Sequence, residues 1–337
     1  MINILSDHHH ADLGWSLHLL AKRLGAKLYW PYGMDWYDKG YWKLYGDLSK
    51  KDPYKFLAKQ YLEDLYYDGY TQETYCGCLD YPKPNLLTFE EFKDTPIDII
   101  ICSVNENENY FAKLKEFKPN AKFIRHSGND LDTNTNHELY PNLLASSVSS
   151  YNAFKGQNKV LYHQEFDLNI FKYQPPKFFR NLYTFQNAIK FNEEAWEWYL
   201  RLQHNLKDFS FKSYGVANDD GKIYPKRTFV EKMNESSFVF QCKNYDGYGH
   251  ILFNSMCLGR PLIVKKEYHE GRLIWPLLEE GKTCLFLDDG IEQAIKMASE
   301  PERLREMSEN ARKRFNEVVS FDEDFETKLK PFFERLI

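Results

Sequence analysis

Short apolar runs alternate along this chain with stretches in which apolar residues recur every three or four positions. The run Ile97-Asp98-Ile99-Ile100-Ile101-Cys102 is nearly continuous, as a strand buried on both faces requires. In the first half the pattern predicts strands at Ile2–Ser6, Lys27–Trp30, Ile97–Val104, Ala121–His126, Asn142–Ser146 and Lys159–His163, with a helix around Leu13–Leu24. In the second half it predicts strands at Asn181–Phe185, Phe209–Tyr214, Phe238–Cys242, Pro261–Val264 and Thr283–Leu287, with a helix at Asn192–Leu206 and others between. Strands alternating with helices argue for α/β architecture with parallel sheets. The segment 32–92, rich in Trp, Tyr and Lys and weak in periodicity, reads as an insertion with short helices such as Pro53–Leu65. Pro175-Pro176 marks a boundary between two similar halves, residues 1–172 and 173–320, followed by a last helix over 321–337.

Composition narrows the classes. A chain of 337 residues with 43% hydrophobic positions supplies two cores of ordinary size. The net charge of −5 gives no global electrostatic case for nucleic acid or an anionic membrane. No apolar run approaches the roughly 20 residues that span a bilayer, so no transmembrane segment is expected. The opening Met1-Ile2-Asn3-Ile4-Leu5-Ser6 lacks the basic flank of a signal peptide and reads as a first strand. Six scattered cysteines, Cys76, Cys78, Cys102, Cys242, Cys257 and Cys284, read as reduced thiols, and Cys76-x-Cys78 alone is not zinc spacing. A cytoplasmic location is the expectation.

The densest signal is Asp246-Gly247-Tyr248-Gly249-His250-Ile251-Leu252-Phe253-Asn254, continuing through Cys257-Leu258-Gly259-Arg260-Pro261 into the apolar Leu262-Ile263-Val264. It reads as a glycine-rich turn, a short helix, a Gly-Arg-Pro stop and a buried strand. Glycines at the turn admit positive φ and close approach of a ligand, and the helix N-terminus suits a phosphate. The segment resembles the signature of retaining glycosyltransferases of the GT-B fold, in family 4 and its relatives, where two glutamates eight positions apart flank such a helix. The resemblance runs on through Leu277–Asp288 and the helix carrying Glu302-Arg303-Leu304-Arg305-Glu306-Met307 and Ala311-Arg312-Lys313-Arg314-Phe315. It covers the C-terminal third well and the N-terminal half in outline. Asp246 and Asn254 stand where that family has glutamates.

The resemblance implies two facing Rossmann-like domains with a cleft between them: an N-terminal acceptor domain and a C-terminal donor domain, with the last helix crossing back. It implies that Gly247, Tyr248, Gly249 and His250 offer backbone N–H groups to a nucleotide diphosphate, that Asn254 reaches the ribose and that Asp246 faces the donor sugar. The alternative is a plain helix cap, with Asp246 closing a turn and Asn254 facing solvent. The family places an arginine and a lysine after the first strand of this domain. Lys190 falls near the lysine position, whereas Phe185-Gln186 occupy the arginine region, leaving Lys243, Arg227 or Arg180 as substitutes.

In the first half, Ile124-Arg125-His126-Ser127-Gly128-Asn129-Asp130 closes a strand. His126 is a candidate contact to sugar or acceptor and Asp130 a candidate to orient or deprotonate an acceptor hydroxyl, against a structural histidine at a strand end. His8, His9, His10, Asp12 and Trp15, after the first strand, are candidates for the acceptor pocket. A metal reading of that loop is weaker, because consecutive histidines rarely converge on one ion, and none is expected. The lysines and aromatics of Lys39-Gly40-Tyr41-Trp42-Lys43-Leu44-Tyr45, with Lys50, Lys51, Lys55 and Lys59, are able to hold a nucleic-acid strand or sugar rings. Asp38, Asp47 and Asp52 dilute that patch, and a solvated helix face is the plainer reading.

The expectation is therefore a glycosyltransferase that uses a UDP- or GDP-linked sugar as substrate and no other cofactor, with retention implied by the resemblance. The expected acceptor is a glycan or lipid-linked sugar, with a hydroxymethylated base in DNA as the alternative. A catalytically weakened sugar-nucleotide binding protein and a sugar-nucleotide epimerase are the rivals of other classes.

Overall fold

The computed structural model describes residues 1–7, 11–31, 35–38, 85–103, 109, 111–128, 136–156, 158–215, 217–221, 223, 226–244 and 247–337. Two compact units emerge, Met1–Phe166 with Phe321–Ile337, and Asp167–Ser320. The division falls a few residues before the expected one, and the C-terminal segment groups with the first unit.

In the first unit the strands are β1 (Asn3–Ser6), β2 (Lys27–Pro31), β3 (Asn85–Leu87), β4 (Ile99–Cys102), β5 (Lys122–Ser127), β6 (Asn142–Ala145) and β7 (Asn158–Leu161). All pair in parallel, in the order β3-β2-β1-β4-β5-β6-β7. Ile4, Leu5, Ile99, Ile100, Ile101 and Ile124 supply its centre, since a parallel sheet covered on both faces needs apolar residues throughout. Among the described residues, this unit's helices before its end include α1 (Ala11–Arg23), α2 (Asp35–Asp38), α3 (Phe89–Asp94) and α4 (Val148–Ala153).

One element corrects the sequence reading. The end of the expected insertion, 85–92, belongs to the sheet and its cover: it holds strand β3 and most of helix α3. Thr88 and Glu91 close a reciprocal capping box, and Phe89 and Phe92 pack on the ring of Trp36. A three-residue strand leaves too short a pattern to read, although the Thr-x-x-Glu signal was present. The helix expected at Pro53–Leu65, Cys76 and Cys78, and the Lys/aromatic segment from Lys39 lie outside the described residues.

The second unit builds on β8 (Asn181–Thr184), β9 (Ser210–Ser213), β10 (Phe238–Gln241), β11 (Leu262–Val264) and β12 (Cys284–Phe286), all parallel, in the order β12-β11-β10-β8-β9. Its helices are α5 (Glu193–Asn205), α6 (Lys226–Glu235), α7 (His250–Cys257), α8 (Ile291–Ala298) and α9 (Pro301–Val318). The strand predictions held to within one or two residues at each end. Cys102, Cys242, Cys257 and Cys284 are buried and form no disulfide.

The last segment is continuously helical over Phe321–Glu334 and runs as α10 (Phe321–Asp324), a π-helical turn Phe325–Leu329 and α11 (Lys330–Glu334). Phe325, Leu329, Phe332 and Phe333 enter the core of the first unit. At the junction the buried Asp324 carboxylate accepts both the backbone N–H and Nδ1 of His163, each at 2.8 Å, and also pairs with Lys328.

Candidate active site

Each sheet reverses its strand order once, between β8 and β10 in the second unit and between β1 and β4 in the first. Open α/β sheets bind ligands beyond the carboxyl ends of the strands at such switch points. In the second unit the two diverging chains are tied by Gln186, whose Oε1 accepts the Cys242 N–H at 3.2 Å. Burial pushes the Cys242 thiol up to about 12, so it stays protonated and inert near neutrality.

From β10 the chain enters Gly247-Tyr248-Gly249 and then α7. Gly249 has φ +70°, and a Cβ there would stand 3.0 Å from the Leu252 side chain, so backbone and space both call for glycine. As the N-cap it brings no side chain, and its carbonyl accepts the Leu252 N–H at 2.8 Å. The opening N–H groups of a helix have no acceptor within it and present a positive dipole end. Tyr248 is buried, stacked on Phe253 at 4.4 Å and edge-on to His250 at 4.8 Å, which stiffens the turn.

Asn254 lies on the second turn of α7 and is only 1% exposed. Its Oδ1 is buried with no hydrogen-bond partner among the described residues. The solvent-facing alternative for Asn254 is therefore excluded. Asp246, assigned to the donor sugar, lies outside the described residues.

The cations expected near a diphosphate are distributed differently. Lys190 follows β8, but it is paired with Asp219 and sits over the ring of Trp196 at 5.3 Å. Arg180 precedes β8, at the amino edge of the sheet, and binds Asp208 at 2.6 Å, so it does not substitute for the missing arginine. Arg227 is exposed on α6, and Lys243 follows β10 and is partly buried. A cation that sequence reasoning passed over is Lys265, directly after β11. It pairs with Glu194 in the first turn of α5, and the Tyr268 hydroxyl donates to the same carboxylate. The hydrogen bond with Glu194 holds the Lys265 ammonium well above its usual range, against the opposing effect of burial. The partners are 71 positions apart, so no local pattern announces them.

In the first unit the switch point is marked by Asp7, immediately after β1. Its backbone N–H donates to Ile101 at 3.2 Å, and its buried carboxylate accepts the Ser103 N–H at 2.7 Å. Two of the expected acceptor contacts are buried in the first unit. His126 is 1% exposed on β5, with Nε2 3.1 Å from the Tyr162 hydroxyl. Trp15 is fully buried on α1, because the helix turns it inward. Asp12 remains half-buried in the first turn of α1. His8, His9, His10 and Asp130 lie outside the described residues. Among the described residues no group of three or more His, Cys, Asp or Glu is placed to hold a metal ion, and no helix is long and apolar enough to cross a membrane.

No protein-family model matches the chain, and no curated protein matches it in sequence. Solved structures do match. HepE of Anabaena, in complex with UDP and glucose, aligns with a TM-score of 0.56 and 13% identity over 95% of this chain and 96% of HepE. The pneumococcal O-GlcNAc transferase GtfA, in complex with UDP and GlcNAc, aligns at 0.55 and 10% identity, covering 99% of each chain. TarM aligns at 0.55 and 14% identity over 69% of this chain, which spans only 54% of TarM. At such identities the likeness speaks to architecture. The fold is GT-B, two Rossmann-like units with parallel sheets of seven and five strands.

Proposed function

We propose that this GT-B protein is a glycosyltransferase that moves a sugar from a nucleotide-sugar, UDP- or GDP-linked, to an acceptor hydroxyl. The observation that carries the reading is the α7 entrance: a glycine turn at the carboxyl edge of β10, beside the switch point, with the buried acceptor of Asn254 on the same helix. Backbone N–H groups of Gly247, Tyr248, Gly249 and His250 bind the diphosphate, where fixed dipoles in a water-poor site stabilise the charge of the leaving group. Asn254 uses its unpartnered Oδ1 to accept a ribose hydroxyl. Asp246 hydrogen-bonds the sugar hydroxyls. Lys243 after β10, and Lys190 after β8 once released from Asp219, supply positive charge to the diphosphate. The UDP seen with HepE and with GtfA supports a uridine nucleotide as the first donor to try.

Transfer with retention is part of the proposal. The acceptor oxygen attacks C1 from the face the phosphate leaves, and the departing phosphate oxygen takes the acceptor proton, so no separate base is required. Asp130 orients the acceptor, with His8, His9, His10 and Asp12 around it, and the acceptor is a glycan or lipid-linked sugar.

A thermal-shift and hydrolysis screen over UDP- and GDP-sugars tests this. Selective binding to the native state raises Tm by mass action. A stabilising donor with slow release of free nucleotide is the expected result. Isomerised donor would mean an epimerase, and binding without turnover a sugar-nucleotide binding protein. No shift with any donor would overturn the reading.

A further inference from the structure

We infer that the first unit binds an oxyanion through Arg125, and that the acceptor therefore carries a carboxylate or a phosphate. This rests on the glycosyltransferase reading for the word acceptor, and on the geometry of Arg125 for the rest. Arg125 stands on β5 directly opposite Cys102, the last residue of β4. Its Nη1 donates to the Cys102 carbonyl oxygen at 3.0 Å and approaches the Cys102 sulfur at 3.7 Å. Because that carbonyl closes β4, a guanidinium reaching it lies at the carboxyl edge of the sheet, one strand from the β1/β4 switch point.

The arginine is 3% exposed, and no carboxylate among the described residues pairs with it. The neighbouring acid, Asp7, does not fill the role. Its Oδ1 accepts the Ser103 N–H at 2.7 Å and its Oδ2 the Cys102 thiol at 3.7 Å, so the thiol stands between carboxylate and guanidinium. With Nη1 held by Cys102, the side-on fork of Nε and Nη2 is left, and Nε is buried with no hydrogen-bond partner among the described residues. That fork matches the two oxygens of a carboxylate or phosphate, which it binds bidentately. A guanidinium withdrawn from water without an ionic partner is costly, and a ligand oxyanion removes that cost. A neutral sugar hydroxyl would leave the charge uncompensated.

The test uses three sugars that differ at C6: glucose, glucuronate and glucose 6-phosphate. Binding is measured by titration calorimetry on the full chain saturated with UDP, so that the donor site is occupied. The expected result is saturable binding of glucuronate or glucose 6-phosphate at least tenfold tighter than glucose. Arg125→Gln, which removes both the charge and the fork, abolishes that preference, and Arg125→Lys weakens it while keeping part of the charge effect. Preference for glucuronate assigns a carboxylate, and preference for glucose 6-phosphate a phosphate. UDP affinity, measured separately, stays within twofold in both variants, so failure of the donor reading shows there and not in the C6 series. If UDP does not bind, the same series is run without it. Wild-type protein that binds neither anion better than glucose overturns the inference, whatever the variants do. So does an anion preference that survives Arg125→Gln or, should that variant not fold, survives Arg125→Lys undiminished.

Discussion

Among the described residues each unit buries one arginine without a carboxylate partner, and the two do opposite things. Arg260 of the second unit is completely enclosed at the amino end of β11. Its Nη2 donates to the Gln174 carbonyl and to Asn234 Oδ1 at 3.2 Å, both also at the amino edge of that sheet. Burial pushes its guanidinium down to about 10. Arg125 of the first unit is also buried but stands at a carboxyl edge, and among the described residues its hydrogen bonds go to the last residue of β4. Burial alone does not separate scaffold from binding group. The edge of the sheet does, because ligands enter α/β sheets only at the carboxyl side.

The sharpest way to break this comparison is to remove the scaffold arginine. Arg260→Ala strips the donor from the Gln174 carbonyl and from Asn234 and leaves a cavity where a fully buried side chain stood. A loss of about 3 kcal/mol or more in urea unfolding is expected, with Arg260→Met intermediate because it refills the volume. Arg125→Gln should cost less than about 1 kcal/mol, since no partner charge is stranded. Equal costs at both sites would dissolve the distinction.

How far the chain could be read in advance follows the same line between local and distant chemistry. Strands such as Ile99–Cys102 and the Gly247–Gly249 turn announce themselves through neighbours in sequence, and both were legible. The Lys265–Glu194 pair and the Asp7–Cys102–Arg125 arrangement join residues 71 to 96 positions apart or meet only through strand register, so no window of sequence contains them. The burial of His126 beside Tyr162 and of Trp15 on α1 is likewise set by partners that no window of sequence contains.

The junction of the C-terminal segment is the next test of what counts as scaffold. Burial alone would raise the Asp324 carboxyl, but its hydrogen bonds from His163 and Lys328 outweigh that, and the net position is below the usual aspartate value. A depressed folded-state value means that the carboxylate stabilises the fold above the unfolded-state value of about 3.9 and loses that contribution as pH falls through the folded-state value. Asp324→Asn should therefore cost about 2 kcal/mol at pH 7, and the gap to wild type should close only below about pH 4. Urea midpoints between pH 3 and 8 measure it. A gap that closes near pH 6 would assign the linkage elsewhere.

Asn254 tests the ligand side of the line at a smaller scale. Its unpartnered Oδ1 makes Asn254→Ala a loss for the nucleotide and not for the fold: about 1 kcal/mol, or roughly fivefold, in nucleotide affinity, with Tm of the free protein little changed. Asp246→Ala should instead lower transfer more than nucleotide affinity, because its assigned partner is the sugar. Calorimetry with UDP and turnover of the donor found in the screen read the two separately. Negligible effects of both would remove the assigned donor site.

Lys190 is the smallest effect and decides where an expected cation belongs. Its ammonium is tied to Asp219 and lies over Trp196, with both charged groups substantially exposed. Exposed pairs of this kind contribute about 0–1 kcal/mol, so Lys190→Ala should barely move the unfolding midpoint. The informative quantity is UDP affinity as a function of salt. If the lysine leaves Asp219 for the diphosphate, the variant binds UDP several-fold more weakly, and the deficit shrinks as added salt screens the charge. If it stays with Asp219, affinity and salt dependence match wild type, and the diphosphate relies on the α7 N-terminus and Lys243. A donor site that holds its phosphate mainly by backbone N–H groups would account for a chain in which Phe185-Gln186 replace the expected arginine.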